Sequence, residues 1–82
     1  MEILPLKPRL RKFLTVRNLR NSFEKQAALF AENPFHPGLH TELLEPKHLH
    51  FYSFRLTRKY RVIFIYQGQN VIEVIDINNH YQ

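Results

Sequence analysis

The chain has 82 residues, of which 44% are hydrophobic, and Lys and Arg outnumber Asp and Glu by twelve to seven. This length predicts one domain spanning residues 1–82, and the lack of cysteine excludes a disulfide framework or a thiolate metal site. The net charge of +5 favours a polyanionic partner such as nucleic acid, with a merely soluble basic surface as the alternative.

No apolar run is long enough to span a bilayer. The opening residues lack the continuous apolar core and the small-residue cleavage site of a signal peptide. A chain without cysteine also suits a reducing compartment. We therefore expect a cytoplasmic protein that makes no membrane contact.

The first elements in chain order are a short strand within residues 2–6 and a helix that begins at Pro8. Proline fits the first turn of a helix because its missing N–H costs little there. An apolar stripe at helical spacing follows, formed by Leu10, Phe13 and Leu14. We interpret the charged residues on the other side of this helix, Arg9, Arg11 and Lys12, as a solvated face.

A second helix is predicted after Asn18, which we expect to be its N-cap. Its apolar stripe consists of Leu19, Phe23, Ala27 and Phe30. The helix is expected to end at Asn33, because a residue before proline avoids the α region. The two helices should form an antiparallel hairpin that covers one face of a sheet and carries no chemistry.

Residues 35–49 are predicted to be a linker, because prolines and a glycine punctuate them. His36 and His40 have the four-residue spacing that binds metal on a helix. The prolines and glycine around them argue against a helix, so we expect no metal or other cofactor.

The stretch Tyr52 to Tyr66 reads as two strands with period two, joined by a tight turn at residues 57–59. Symmetric closure would place Arg55 directly opposite Arg61, and two arginines in that position repel each other. Something negative must offset this repulsion, either a phosphate backbone or a nearby carboxylate.

Residues 71–77 form the predicted last strand, after a turn at residues 67–70. If Tyr66 pairs with Val71, Asp76 lies opposite Arg61. The other face should pack on the helices through Phe54, Val62, Phe64, Ile75 and Ile77. The predicted fold class is α+β, a two-helix hairpin packed on one face of a small twisted antiparallel sheet in the order β-α-α-β-β-β.

Several side chains match the needs of metal-free RNA cleavage. Such a reaction requires a base for the ribose 2′-hydroxyl, cations for the charge on the phosphate, and an acid for the departing 5′ oxygen. Glu42 could be the base, Arg55 and Arg61 the cations, and His80 the acid. Tyr81 could stack on a base or help position the phosphate.

Three stretches carry a resemblance to a known family: NPFHPGLHTELL (33–44), YSFRLTRKYRVIF (52–64) and DINNHY (76–81). With the two upstream helices, nearly the whole chain resembles the RelE/ParE superfamily of bacterial toxin–antitoxin toxins. The ending His80-Tyr81 is most similar to the YoeB-type branch of mRNA interferases. The chain departs from many relatives in having Asn78 where they have Gly, and in stopping soon after its terminal His.

The resemblance implies a RelE-like fold and a toxin that enters the ribosomal A site and cuts mRNA there. It implies catalysis by Glu42, Arg61 and His80, with Arg55 and Tyr81 as supporting phosphate and base contacts. A cognate antitoxin protein would wrap and silence the toxin. We also expect sequence-independent contacts to rRNA or mRNA phosphates from Lys47, Arg58 and Lys59.

Two other functions fit the same residues. One is a ParE-like inhibitor of DNA gyrase that acts through protein contacts and needs no acid–base set. The other is a catalytically degenerate toxin homologue that only binds RNA. In these cases Glu42 is an ordinary loop carboxylate, Arg61 is an ion-pair partner of Asp76, and His80 is only part of a chain end.

Overall fold

The chain folds as two helices on a five-stranded sheet, seen in a computed structural model that describes residues 1–79. The elements in chain order are β1 (Glu2–Ile3), α1 (Pro8–Val16), α2 (Arg20–Glu32), β2 (Glu42–Leu43), β3 (Tyr52–Arg55), β4 (Tyr60–Tyr66) and β5 (Val71–Asn79). The predicted α+β class, both helices and the three long strands are confirmed. Within residues 1–79, neither helix is long and apolar enough to cross a membrane.

The strand order in the sheet is β1-β5-β4-β3-β2. We predicted an antiparallel sheet, but the sheet is mixed because one of its strand pairs is parallel. β1 runs parallel to β5, and Glu2 N donates to Asn70 O at 2.7 Å while Leu4 N donates to Ile72 O at 3.0 Å. β1 is followed by helices and not by a tight turn, so no hairpin forces it to run antiparallel to its neighbour.

The segment predicted to be a linker contains a strand. β2 pairs antiparallel with β3, with Glu42 opposite Ser53. Short 3₁₀ turns lie on either side of it, at Pro37–Leu39 and Lys47–Leu49. A strand of two residues is too short to produce a period-two pattern, which explains why the sequence did not indicate it.

The prediction that Asn18 caps the second helix is wrong. It has a φ of 58° and ends α1, where Leu19 N donates to Leu14 O at 2.8 Å. Asparagine tolerates this left-handed conformation better than most residues, so it serves the end of a helix as readily as the start. Leu19 takes the N-cap position of α2 without a side-chain cap.

The predicted register is confirmed between β3 and β4, where Arg55 lies opposite Arg61. It is wrong between β4 and β5, where Arg61 pairs with Asn78 and Asp76 pairs with Ile63. The turn pairs Tyr66 with Ile72. A bulge at the Ile63/Phe64 step then shifts β5 by one further residue.

Ile75, predicted to be in the core, is the residue displaced by this bulge, and it is only half-buried. Its carbonyl oxygen accepts a hydrogen bond from Arg9 Nη2 at 2.9 Å. Arg9 Nη1 lies 3.6 Å from Asp76 Oδ1. The ion pair predicted for Asp76 therefore forms with a helix arginine and not with Arg61.

The core lies between the helices and one face of the sheet. Its centre is an aromatic cluster in which the ring of Phe30 lies 5.1 Å from those of both Phe54 and Phe64. Val62 and Ile77 are also buried, as predicted. Phe23 is only half-buried, because it lines a groove between α1 and α2. The opposite face of the sheet carries Ser53, Arg55 and Arg61, together with Ile63.

Candidate functional site

Polar residues gather on the sheet face that points away from the helices. Side chains alternate along a strand, so the neighbours of core residues Phe54 and Val62 face the other way. Pairing across β2, β3 and β4 then places Glu42 beside Ser53, and Arg55 beside Arg61. This group forms the candidate site.

Arg61 is the centre of the site and is only 5% exposed. Its Nε donates to Ser53 Oγ at 2.8 Å, and its Nη2 donates to His40 O at 2.6 Å. A longer bond of 3.4 Å joins Nη2 to Ser53 O. Burying a cation is costly unless hydrogen bonds compensate it, and these three bonds also fix the orientation of the guanidinium.

Glu42 supplies the negative group that the two facing arginines require. Its Oε2 lies 3.5 Å from Arg61 Nη2, and 54% of its side chain is exposed. Burial lowers the pKa of Arg61 from its ordinary value, the Glu42 carboxylate opposes that shift, and Arg55 adds to it. Because an arginine starts from so high a pKa, the guanidinium remains charged at neutral pH. The site therefore contains a fixed cation beside a carboxylate that water can reach.

The segment that carries Glu42 is anchored at several points. Leu39 is fully buried, and His40 adopts a left-handed conformation with a φ of 48°. Gln26 Nε2 on α2 donates to Arg55 O at 2.7 Å and to Gly38 O at 3.3 Å. These contacts tie the segment both to the helix and to the end of β3, and they hold the His40 carbonyl against Arg61.

The other predicted site residues lie at different distances from this centre. Arg55 is half-buried, and Arg58 and Lys59 are exposed in the turn that directly follows it. Lys47 lies in the 3₁₀ turn that precedes β3, at the other end of that strand from Arg55. His80 and Tyr81, the predicted acid and the predicted base contact, lie outside the described residues.

Sequence reasoning missed two parts of the site. Ser53 has no exposed surface, yet a weak signal existed, because the period-two pattern places it on the same face as Arg55. The His40 contribution is a backbone carbonyl, and no sequence pattern predicts which carbonyl a buried arginine will find.

The arrangement has the chemistry of an anion site with an adjoining base. The half-buried Arg55 can contact a phosphate group, the buried Arg61 can stabilise its charge, and the half-exposed carboxylate can accept a proton. Within residues 1–79, no three His, Cys, Asp or Glu side chains are grouped as metal ligands would be.

Comparison with known proteins adds evidence from structure but none from sequence. No family model matches the chain, and no curated protein does so. Among solved structures, a YoeB/ParE toxin from Agrobacterium tumefaciens superposes with a TM-score of 0.73 at 18% sequence identity. The match covers 99% of this chain and 100% of that one. The chain therefore has the fold of that toxin over almost its full length, as the sequence resemblance implied.

Proposed function

We propose that this protein is the toxin of a toxin–antitoxin system and acts as a ribosome-dependent mRNA endonuclease. The observation that carries the proposal is the Glu42–Arg61 pair beside Arg55, in a chain with a YoeB/ParE toxin fold. The half-exposed carboxylate and the fixed guanidinium supply two of the three groups that metal-free RNA cleavage needs.

In the proposed reaction, Glu42 removes the proton from the ribose 2′-hydroxyl, and the 2′ oxygen attacks the adjacent phosphorus. Negative charge then grows on the phosphate oxygens, where Arg61 and Arg55 stabilise it. His80 donates a proton to the departing 5′ oxygen as the P–O bond breaks. The products are a 2′,3′-cyclic phosphate and a free 5′-hydroxyl, so no metal-activated water is consumed.

The roles of the two arginines follow from their environments. Arg61 is buried and already bonded to protein groups, so its charge acts in a low-dielectric setting and needs no reorganisation. Arg55 is more exposed and is therefore the side chain that can adjust to an incoming phosphate. Arg58 and Lys59, exposed next to it, are proposed to contact further RNA phosphates.

A toxin of this kind needs a partner that silences it. We assign that role to a cognate antitoxin whose acidic or amphipathic segment folds on binding, because the chain carries +5.

Single-turnover cleavage of mRNA on programmed ribosomes, with binding measured separately, tests the mechanism. Arg61→Ala should reduce the chemical step about 10²–10³-fold, and His80→Ala about 10²–10⁴-fold. Glu42→Gln should also slow cleavage, whereas Glu45→Gln, a change to an exposed carboxylate nearby, should not. Wild-type-like cleavage by both Arg61→Ala and His80→Ala would exclude this mechanism.

Primer extension in cell-free translation separates the proposed function from the alternatives. New mRNA 5′ ends at codons indicate the nuclease. Intact mRNA together with blocked supercoiling would indicate a gyrase inhibitor and overturn the proposal. Intact mRNA with unaffected supercoiling would indicate a degenerate homologue.

A further inference from the structure

Apolar side chains remain uncovered on the sheet face that carries the candidate site. Ile63 and Ile65 of β4 alternate with the core residues Val62 and Phe64, and they therefore point away from the helices. Both isoleucines are half-buried, and neither packs against the core. Along this one strand, the site face thus changes from polar at Arg61 to apolar at Ile65.

Phe51 extends this apolar area across the neighbouring strand. It directly precedes β3, where Tyr52 pairs with Phe64, so the continued register places Phe51 beside Ile65. Leu44 N donates to Phe51 O at 2.7 Å, which shows that strand pairing continues through this residue. Phe51 is 37% exposed, so its ring is accessible to a ligand.

A groove of about 470 Å³ opens beside this ring, a size typical of ligand pockets. Its lining consists of Leu49, His50, Phe51, Tyr52, Ile65 and Tyr66. We call these six residues the aromatic groove. Lys47 is exposed in the same 3₁₀ turn as Leu49. The groove thus has an apolar and aromatic lining, with a cation in the turn that borders it.

The aromatic groove and the candidate site are connected along β3. Phe51 and Arg55 are four residues apart, which is about 13 Å along a strand. Ser53, which accepts a hydrogen bond from Arg61, lies between them in the chain. A short run of single-stranded RNA with a phosphate at the arginines can therefore place a nearby base in the groove.

The chemistry of this face fits a single-stranded nucleic acid better than a partner protein. Proteins bind such strands with cations for the phosphates and aromatic rings on which the bases stack. Arg55 and Phe51 supply one of each, at the two ends of the same strand. A protein interface covers about 800 Å² on each partner, so one centred on the groove would also cover Arg55. Burying that charge is costly unless the partner pairs with it.

We propose that the aromatic groove is a nucleobase subsite, in which the ring of Phe51 stacks on an unpaired base near the phosphate held by Arg55 and Arg61. The proposal rests on the proposed function in taking this strand to be mRNA. The stacking contact itself requires no cleavage. Because every base has a face that can stack, the subsite anchors the strand with little sequence preference.

The first test measures binding of the full chain to 2′-O-methyl RNA of about eight nucleotides, which has no 2′-hydroxyl and cannot be cut. Phe51→Ala should bind this strand about 5–150-fold more weakly, the loss typical of one base–aromatic stack. Phe35→Ala is the matched control, because Phe35 is 65% exposed and does not line the groove. It should bind like the wild type. Thermal melts check that both variants are folded.

The salt dependence of binding separates stacking from charge. Phe51→Ala removes no charge, so its slope of log affinity against log salt should equal that of the wild type. Arg58→Gln removes an exposed cation, and its slope should become shallower by about 0.7 for one lost phosphate contact. An equally shallow slope for Phe51→Ala would show that the ring does not act by stacking and would contradict the proposal.

Tryptophan fluorescence reports the stacking contact directly, because the chain contains no tryptophan of its own. The fluorescence of Phe51→Trp should be quenched when the strand binds, whereas that of Phe35→Trp should not change. Strands with a single abasic position identify the stacked base. At that position, the wild type and Phe51→Ala should bind the abasic strand equally.

Three outcomes decide against one proposal or the other. Equal binding of the intact strand by the wild type and Phe51→Ala, or no binding by the wild type at about 50 mM salt, would overturn the nucleobase subsite. If the wild type is a dimer that Phe51→Ala dissociates, while both bind the strand equally, the groove holds a second copy of this chain and the subsite is wrong. If the wild type fails to cut mRNA on ribosomes while the stacking result holds, the proposed nuclease function fails and the subsite stands.

Discussion

At the scale of single residues, Ser53 has a larger role than its size suggests. Its hydroxyl accepts the Nε–H of Arg61, and neither residue is accessible enough for water to replace the other. Because Arg61 Nη2 also contacts Glu42 and the His40 carbonyl, a tilt of the guanidinium would change every polar contact of the site. Ser53 is thus a positioning residue, which acts through Arg61.

Ser53→Ala should lower the free energy of unfolding by about 1–3 kcal/mol, because a donor of a buried cation loses its acceptor. It should also slow single-turnover cleavage without weakening ribosome binding. Ser22→Ala, a half-buried serine on α2, is the matched control and should change stability by less than about 0.5 kcal/mol. Urea unfolding and the cleavage assay provide the measurements.

A double-mutant cycle shows whether Ser53 acts through Arg61. Adding Ser53→Ala to Arg61→Ala should cost little more cleavage than Arg61→Ala alone, since residues in one network are not additive. Fully additive losses would show that Ser53 contributes independently, contrary to its assigned role.

Tyr66 provides a second residue-level prediction, on alkaline stability. Burial raises the pKa of Tyr66, and the neighbouring Tyr52 raises it further. The folded state thus favours the neutral phenol, and this contribution is complete below the ordinary tyrosine pKa of about 10. It is lost as pH rises through the pKa of Tyr66 in the folded state.

Tyr66→Phe should therefore lessen the decline in stability as pH rises above about 10, because phenylalanine has no proton to lose. Urea unfolding of the wild type and the variant across that pH range is the measurement. Parallel declines in the two proteins would mean that Tyr66 does not contribute to alkaline destabilisation.

At the scale of elements, the helices and the sheet depend on each other through aromatic packing. Phe54 of β3 is fully buried and contacts Phe30 of α2, so the strand that carries the site is held in place by the helix behind it. Gln26 of the same helix donates to Arg55 O, at the end of β3. Weakening this layer should therefore affect both the fold and the site.

Phe54→Ala should cost about 3–5 kcal/mol, as expected for removing a buried aromatic ring. Phe35→Ala is the control, because Phe35 is 65% exposed, and it should change stability by less than about 0.5 kcal/mol. If Phe54→Ala is too unstable to purify, Phe54→Leu should give a smaller, measurable loss. Similar melting temperatures for Phe54→Leu and Phe35→Ala would contradict this view of the core.

At the scale of the whole molecule, charge and chemistry lie on different faces. Residues 7–32, the helical layer, carry the net +5, and the sheet face behind them carries a site in which Glu42 pairs with Arg61. Long-range attraction to a polyanion would thus act first on the helices, since exposed and unpaired charges dominate the field at a distance.

The sequence by itself determined the elements whose signals are local. The stripes of Leu10 and Phe30 predicted both helices, and alternation through Tyr52 to Tyr66 predicted the central hairpin and its facing arginines. Local periodicity suffices here because a helix turn or a tight hairpin involves residues close together in the chain. The need for a negative group beside Arg55 and Arg61 followed from that register alone.

Only the tertiary structure decided which negative group this is. Glu42 reaches Arg61 through β2, and Ser53 and the His40 carbonyl complete its contacts. A two-residue strand and a backbone carbonyl have no periodic signature, so these contacts could not be predicted from the sequence.

The pairing register of the last strand and the direction of the first were likewise decided by the tertiary structure. The turn shifted β5 by one residue and the bulge by one more, so that Asp76 no longer lies opposite Arg61 and instead pairs with Arg9. An inserted residue shifts the pairing register of every later residue in the strand. The parallel pairing of Glu2 with Val71 joins the first strand to the last. The parallel direction of β1 is set by packing of the completed sheet. No local stretch of sequence carries a signal for that packing.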